Sequence, residues 1–170
     1  MKNEIDLSLN IFSYKIIPNN LIKNTKIGFF NLHPGKLPEY AGLNPISWTI
    51  LSGESYQYVT LHWLTKKIDS GPIVDTNFFK ILEKDSALTV MQKSVNIGIR
   101  MLKKFINSTI IEPKNINKIE QIIEKRNYYG NQIPNNGYVN FNSKSIDIYN
   151  FIRAFNYKPY NSFWKEPKII

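Results

Sequence analysis

Two polar side chains, Asn31 and His33, lie at the end of the apolar run 27–33, directly before the turn dipeptide Pro34-Gly35. Residues two apart on a strand point to the same face, so we expect the carboxamide and the imidazole to share one space. Open α/β sheets bind ligands outside the carboxyl ends of their strands, where this pair would lie. The pair therefore marks a candidate site.

Asp69 adds a carboxylate to this inventory, in a turn that ends at Gly71. An imidazole accepts protons near neutral pH, a carboxylate orients it, and an amide N–H donates to an oxyanion, a combination that suits acyl transfer to an amine. A structural interpretation stands beside this one, because Asn-x-His occurs by chance and Asp-x-Gly is an ordinary turn. His62, the only other histidine, alternates with Thr60 and Leu64 and fits a packed or substrate-facing residue better than a proton carrier.

The charge balance favours small anions over nucleic acid. Lys plus Arg number 22 and Asp plus Glu 13, so the formal net charge is 22 − 13 = +9. The basic residues are scattered, with pairs such as Lys66-Lys67 as the longest stretches, and no nucleic-acid-binding motif occurs. A diffuse attraction for nucleotides or folate is the better interpretation.

The composition excludes several classes of protein. The chain has no cysteine, which excludes disulfides, thiolate metal sites and a cysteine nucleophile. No apolar run has the length of a membrane span, and the polar character of residues 1–6 leads us to expect no signal peptide. No His, Asp and Glu cluster has metal-ligand spacing. We expect a cytoplasmic protein without a metal.

The hydrophobic pattern predicts an α/β domain. Four runs rich in β-branched and aromatic residues are predicted strands: 9–14, 27–33, 57–64 and 73–81. Helices are predicted at 18–24, 45–51, 86–108 and 145–155, with Asn44 capping the second and Ser86 or Asp85 the third. A strand or short helix is predicted near 116–123 and a short strand at 138–141. We expect a catalytic core at 1–124 and a small lobe at 125–170.

Three spaced motifs carry a family resemblance: Asn31 to Pro45, Val59 to His62, and Ile68 to Val74. In order and separation they resemble the 10-formyltetrahydrofolate-dependent formyltransferases. The likeness covers roughly residues 6–112, with weaker agreement at 128–137 and 152–155. Ala41 stands where translation-type members usually carry Arg, so the sugar N-formyltransferases are the more similar branch. The implied fold is an incomplete Rossmann-like core, a central β-sheet flanked by helices that lacks the family's N-terminal part, with a small C-terminal α+β lobe.

The resemblance implies site roles, residue by residue. His33 would accept the proton of the attacking amine, Asn31 would hold the formyl oxygen, and Asp69 would align both. The pocket of the donor, 10-formyltetrahydrofolate, would be lined by Ser13, Tyr14, Lys15, Ile16, Ile17 and Ile68. The mouth for the acceptor, a nucleotide-linked amino-deoxysugar, would be formed by Lys36, Tyr40, Gly42, Leu43 and Asn44.

Three alternatives remain open at this point. The chain is an inactive or partial formyltransferase that acts with a second copy or a partner chain completing its sheet, or it has methionyl-tRNA formyltransferase-like activity, or it is a basic RNA-binding module. An unpaired sheet edge would favour the first of these.

Overall fold

The computed structural model describes residues 5–169. The strands, in chain order, are β1 (Ile5–Ile11), β2 (Thr25–His33), β3 (Ala41–Gly42), β4 (Tyr56–Trp63), β5 (Ile73–Lys80) and β6 (Tyr128–Tyr129). The helices are α1 (Asn19–Lys23), α2 (Pro45–Leu51), α3 (Ala87–Ile111) and α4 (Ser145–Phe155), with single 3-10 turns at Ile123–Lys125 and Pro134–Gly137. Within these residues no helix is long and apolar enough to cross a membrane.

A four-stranded sheet in the order β1-β2-β4-β5 forms the centre of the molecule. β1 and β2 run parallel, whereas β4 is antiparallel to both β2 and β5. The expected α/β architecture, a central sheet flanked by helices, is confirmed. β1 lies at one end of this sheet, and the expectation that a second copy or another chain adds strands there stays a prediction.

The alternation of side chains along β4 separates a packed face from a polar face. Gln57, Val59 and Leu61 are fully buried on one side, and Val59 and Leu61 belong to the core beneath α3. Thr60 and His62 point to the opposite face, the side on which the polar ends of β2 lie. The sheet therefore supplies a hydrophobic layer and a site layer from the same strands.

Helix α3 buries small residues together with the large apolar Met101, Leu102 and Phe105. This buried face coincides only in part with the apolar stripe that predicts the helix, which consists of Leu88, Met91, Val95, Ile99, Leu102 and Ile106. The buried positions of the helix also include Ala87, Ser94 and Gly98, and a Cβ at Gly98 would lie 2.7 Å from Leu32 Cδ2. Ile99, from the apolar stripe, is 47% exposed. The predicted helix is confirmed, and Ser86 caps it in a capping box with Thr89.

A second core joins α2, the start of α3, α4 and the C-terminal tail. Its buried members are Ile46, Ile50, Ile81, Ala87, Val90, Phe151, Ala154, Phe155 and Trp164. Because this cluster draws residues from both sides of position 124, the two predicted units share one interior, and the boundary itself stays a prediction.

Two local predictions were wrong. The first strand ends at Ile11 rather than at residue 14, because Phe12 adopts a left-handed φ of 49°. Residues 138–141 form no strand: Asn135 and Asn136 have left-handed backbone, and the chain makes one isolated bridge, from Tyr138 to Lys168. At α2 the predicted N-cap position of Asn44 is confirmed, although its side chain makes no capping hydrogen bond.

Candidate active site

Asn31, His33 and Asp69 meet in one buried cluster. Asn31 and His33 come from the end of β2, and Asp69 comes from the turn between β4 and β5. His33 Nδ1 lies 3.6 Å from Asp69 Oδ2, and Asn31 Nδ2 donates to Asp69 Oδ1 at 3.2 Å. The three residues are only 5 to 7% exposed. An imidazole, a carboxylate and a carboxamide are thus within direct reach of one another.

The turn that carries Asp69 has an unusual backbone. Asp69 has a φ of 48°, in the left-handed region that Asn and Asp tolerate better than most residues. Two residues later Gly71 packs directly on β4, since a Cβ there would lie 1.8 Å from the Trp63 carbonyl oxygen. This close packing fixes the position of the turn backbone from which the Asp69 side chain extends.

Residues beyond position 120 hold the same turn from outside. Arg126 donates from Nη2 to the Ile68 carbonyl at 2.7 Å and from Nη1 to the Asp69 carbonyl at 3.1 Å. Gln121 Nε2 donates to the carbonyls of Asp69 and Gly71. Sequence reasoning missed both residues, because nothing in their local pattern indicates that the chain returns to this turn.

Gly42 fixes the other carboxylate oxygen. Its backbone N–H donates to Asp69 Oδ2 at 2.9 Å. Gly42 lies in β3, which pairs in parallel with β6 at Tyr129. Its φ of 98° favours glycine, and the neighbouring Tyr129 carbonyl leaves no room for a side chain. The short β3-β6 pair therefore positions a backbone donor for the site.

The tautomer of His33 follows from its partner. Its Nε2 lies 2.7 Å from the carbonyl oxygen of Tyr40, which can only accept, so Nε2 carries the hydrogen. Nδ1 then holds a lone pair on the side facing Asp69. Burial lowers the pKa of His33 below its ordinary 6.5, against the opposing attraction of Asp69, so the ring is neutral at pH 7 and able to accept a proton.

Asp69 remains ionised next to this ring. Burial alone would raise the pKa of its carboxyl, but the neighbouring rings of His33 and His62 and the hydrogen bond from the Gly42 N–H outweigh it. The net pKa lies well below the ordinary 3.8. The carboxylate can therefore stabilise a cation formed on His33.

His62 is a packed member of the cluster, as the sequence favoured. It is fully buried, and its Nδ1 lies 2.8 Å from the Trp63 carbonyl, to which it must donate. Its Nε2 consequently accepts from Asn31 Nδ2 at 3.0 Å. Sequence reasoning did not foresee this contact, which results from the pairing of Asn31 with His62 across β2 and β4.

Side chains of β4 hold the loop that follows His33. Thr60 Oγ1 donates to the Gly35 carbonyl at 2.7 Å, and Gln57 Nε2 donates to the Pro34 carbonyl at 2.7 Å. A Cβ at Gly35 would lie 2.7 Å from His33 Nε2. The loop is thus fixed against the imidazole at close range.

The predicted donor-binding segment lies outside this buried cluster. Ser13, Tyr14, Lys15 and Ile16 are exposed, Ile17 is half-buried, and Ile68 is 36% exposed at the Asp69 turn. Their role in binding a folate stays a prediction.

The predicted acceptor mouth divides into two parts. Lys36 is exposed enough to meet a ligand and pairs with Glu39 at 2.8 Å, whereas Tyr40 and Gly42 contact the cluster through their backbone. Leu43 donates its N–H to the Tyr129 carbonyl, and Asn44 adopts a left-handed φ of 54°. Their contact with an acceptor stays a prediction. Within residues 5–169 no group of three or more His, Asp or Glu side chains is arranged to hold a metal ion.

We predict that Gly42→Ala damages both stability and the site. A left-handed backbone costs a non-glycine residue about 1–3 kcal/mol, and the new Cβ would also collide with the Tyr129 carbonyl oxygen. Urea unfolding of the variant should show a loss larger than that of Gly53→Ala. Gly53 also has a positive φ, of 68°, but its Cβ would meet only the end of the Asn150 side chain, at 3.3 Å. Equal losses in the two variants would show that the β3-β6 contact is not close.

We predict that Arg126→Ala lowers the catalytic rate without removing a group from the cluster. Two hydrogen bonds from the guanidinium hold the Asp69 turn, so their loss should displace the carboxylate and cost roughly tenfold in turnover, within the ~10²-fold that a misplacement of about 1 Å can cost. Arg100→Ala, on the exposed side of α3, is the matched control and should leave turnover unchanged. Turnover equal to wild type in Arg126→Ala would mean that the turn keeps its conformation unaided.

Comparisons with known proteins identify the family of this chain. A family model described as formyl transferase matches residues 2–106. The bifunctional polymyxin resistance protein ArnA of Wigglesworthia glossinidia brevipalpis is 34% identical over 149 residues, which make up 88% of this chain and 22% of that protein.

Two solved structures are similar in sequence as well as in fold. An N-formyltransferase from Helicobacter canadensis, in complex with folinic acid and dTDP-3-aminofucose, has 30% identity and a TM-score of 0.76, over 87% of this chain and 54% of that chain. WlaRD, a sugar 3N-formyl transferase solved in the presence of dTDP and 5-N-formyl-THF, has 32% identity and a TM-score of 0.77, over 93% and 56%. The chain therefore spans about half the length of these structures. Since the family model covers more than half of its residues, the chain belongs to the formyl transferase family.

Proposed function

We propose that this chain transfers a formyl group from 10-formyltetrahydrofolate to the amino group of a nucleotide-linked amino-deoxysugar. The observation that carries the proposal is the buried cluster of Asn31, His33 and Asp69, which combines a neutral base, an amide donor and a carboxylate. The ligands of the similar structures, folinic acid with dTDP-3-aminofucose and 5-N-formyl-THF with dTDP, support both substrate classes.

The reaction forms one C–N bond and breaks another. The donor supplies an activated formyl carbon. As the acceptor amine attacks this carbon, its nitrogen loses a proton, and we assign His33 Nδ1 as the atom that accepts it because it carries the lone pair of the ring. The donor nitrogen must gain a proton when its bond to the formyl group breaks, and the His33 imidazolium can return the same proton. No net proton is consumed, and no oxidant or metal is required.

Asn31 and Asp69 stabilise the charges that develop during the reaction. Asn31 Nδ2 donates two hydrogen bonds, and the one to Asp69, at 3.2 Å, is longer than the one to His62, at 3.0 Å. We propose that the N–H facing Asp69 donates to the formyl oxygen when substrate is bound. Asp69 Oδ2 faces His33 Nδ1 and stabilises the imidazolium while it holds the proton. The cluster thus offers opposite charges at the two places where charge develops.

An assay with the purified chain tests the proposal. The chain is incubated with 10-formyltetrahydrofolate and a panel of nucleotide-linked 3-amino- and 4-amino-deoxysugars, and products are followed by mass spectrometry. We expect one acceptor to gain a formyl group, together with release of tetrahydrofolate. Formyl transfer to methionyl-tRNA alone would favour the translation-type alternative. Donor binding without transfer to any acceptor would favour the inactive alternative.

We predict that kcat/KM decreases at acidic pH. The pKa of His33 is lowered by burial, so the base form predominates above pH 6.5 and is lost only as the pH falls through the lowered value. The plot of kcat/KM against pH should therefore be flat near neutrality and decline on an acid limb below pH 6.5. A limb centred above pH 6.5 would contradict the assignment of His33 as the base.

The free energy of unfolding should also decrease as the pH falls. The pKa of His33 is lower in the folded chain than in the unfolded chain, so its contribution to stability is complete above pH 6.5 and is lost as the pH falls through the folded value. The pKa of Asp69 is lowered too, so a second loss begins below pH 3.8. Urea unfolding at a series of pH values measures both, and the first loss should be absent from His33→Gln.

A further inference from the structure

A row of polar side chains crosses three strands of the sheet at the level of the active site. The register places Asn10 of β1 opposite Asn31 of β2, and Asn31 opposite His62 of β4. Asn10 Nδ2 donates to Asn31 Oδ1 at 2.9 Å, and Asn31 Nδ2 donates to His62 Nε2 at 3.0 Å. The sheet thus links a residue of its end strand to the catalytic carboxamide.

For a neutral His62 ring, the direction of every hydrogen bond in this row is fixed, although its Nε2 also lies 3.4 Å from Asp69 Oδ1. The Trp63 carbonyl only accepts, so His62 carries its hydrogen on Nδ1 and presents a lone pair at Nε2. Asn31 must therefore turn its NH2 group toward His62, which leaves its carbonyl oxygen facing β1. Asn10 supplies the donor that this oxygen needs.

The opposite orientation of Asn31 would damage the site. A rotation of the carboxamide by half a turn would set Oδ1 against the Asp69 carboxylate and against the His62 lone pair. It would also present a carbonyl, instead of an N–H, where negative charge develops in the reaction. Holding Asn31 in one orientation is therefore a requirement of the proposed chemistry.

We propose that Asn10 is a positioning residue, which sets the orientation of the Asn31 carboxamide and, through it, the ring nitrogen of His62 that carries hydrogen. This inference rests on the proposed function for its catalytic consequence. The hydrogen-bond arrangement itself is measurable whether or not the chain transfers a formyl group.

Asn10→Asp replaces the hydrogen-bond donor at this position by an acceptor while keeping the shape of the side chain. A carboxylate at this position accepts only, so it should draw the Asn31 NH2 group toward β1 and turn Oδ1 toward His62. His62 must then carry hydrogen on Nε2. Since the chain has only two histidines, side-chain ¹⁵N NMR resolves both rings. We expect the hydrogen of His62 to move from Nδ1 to Nε2, and that of His33 to remain on Nε2.

Kinetics provide the second readout. We expect Asn10→Asp to lower kcat at least tenfold with little change in the KM for the acceptor, because the donor edge of Asn31 is reversed while the acceptor's own contacts remain. Asn10→Leu, which removes the donor without adding an acceptor, should show a smaller loss of kcat and a His62 spectrum between those of the other two proteins. Ser8→Ala, on the same face of β1, is the matched control and should behave as wild type.

The outcomes separate this inference from the proposed function. A folded Asn10→Asp variant with His62 still protonated on Nδ1 would overturn the inference, even if the wild-type chain is an active formyltransferase. A shift of the hydrogen to Nε2 in a chain that transfers no formyl group would support the inference and refute the function. If Asn10→Asp does not fold, Asn10→Leu decides: a His62 spectrum identical to wild type would overturn the inference.

Discussion

Replacing His33 with Ala is expected to abolish measurable formyl transfer. General base catalysis contributes about 10²–10⁴-fold to a rate, and this ring is the neutral base within the buried cluster. The substitution also removes the donor to the Tyr40 carbonyl, and a buried unsatisfied group costs about 1–3 kcal/mol. Steady-state kinetics with saturating donor and acceptor measure the first effect, and urea unfolding measures the second.

A paired variant separates the two effects. His33→Gln keeps a side-chain donor that can approach the Tyr40 carbonyl, but it has no group that accepts a proton near neutral pH. We expect it to be more stable than His33→Ala and equally inactive. If His33→Gln retained wild-type turnover, His33 would be a structural residue and the proposed chemistry would fail.

Asp69→Asn is expected to lower kcat by on the order of 10²-fold or more, within the range found for groups that assist proton transfer. Asparagine tolerates the left-handed backbone at this position, so the turn should keep its shape. The new amide is neutral, however, and its NH2 group must face either the Gly42 N–H or the Asn31 N–H, where one donor meets another. The variant therefore loses the charge that stabilises the protonated ring of His33.

The pH profile identifies the cause of this loss. The Asp69 carboxylate raises the pKa of His33, in opposition to burial, so its removal lowers that pKa further. We expect the acid limb of kcat/KM to move to lower pH in Asp69→Asn while the plateau falls. Asp75→Asn on β5 is the control: it removes the same charge from a carboxylate that accepts a hydrogen bond from the Thr76 N–H. It should change neither the position of the acid limb nor the height of the plateau. An acid limb at the wild-type position in Asp69→Asn would show that the two groups are not coupled.

Local sequence pattern was sufficient for much of the scaffold. The strand that ends at His33 and the helix with Pro45 at its first position were both predicted, because apolar runs and turn residues depend on neighbours in the chain. Strand alternation also placed Asn31 and His33 on one face. Asp69 was a candidate from its residue type and its turn, but its role beside Asn31 and His33 was implied by the family resemblance, since no local rule states which turn faces which strand.

The parts that escaped prediction are set by tertiary structure. Asn10 meets Asn31 only because of the register between β1 and β2, which depends on both strands together. Arg126 reaches the Asp69 turn from a polar segment with no hydrophobic period to place it. On α3, the close approach of Leu32 leaves no room for a side chain at Gly98, so the buried side combines small residues with Met101, Leu102 and Phe105.

The contacts of Gln121 and Arg126 with the Asp69 turn bear on how chimeras of this family should be cut. The family match ends at residue 106, yet three carbonyls of that turn are held by side chains from beyond it. A chimera that joins two homologues near position 106 would separate the turn from the Arg126 guanidinium and the Gln121 amide that hold it. A productive crossover should therefore fall after residue 130, so that Tyr128 and Tyr129 come from the same homologue as the β3 strand with which they pair.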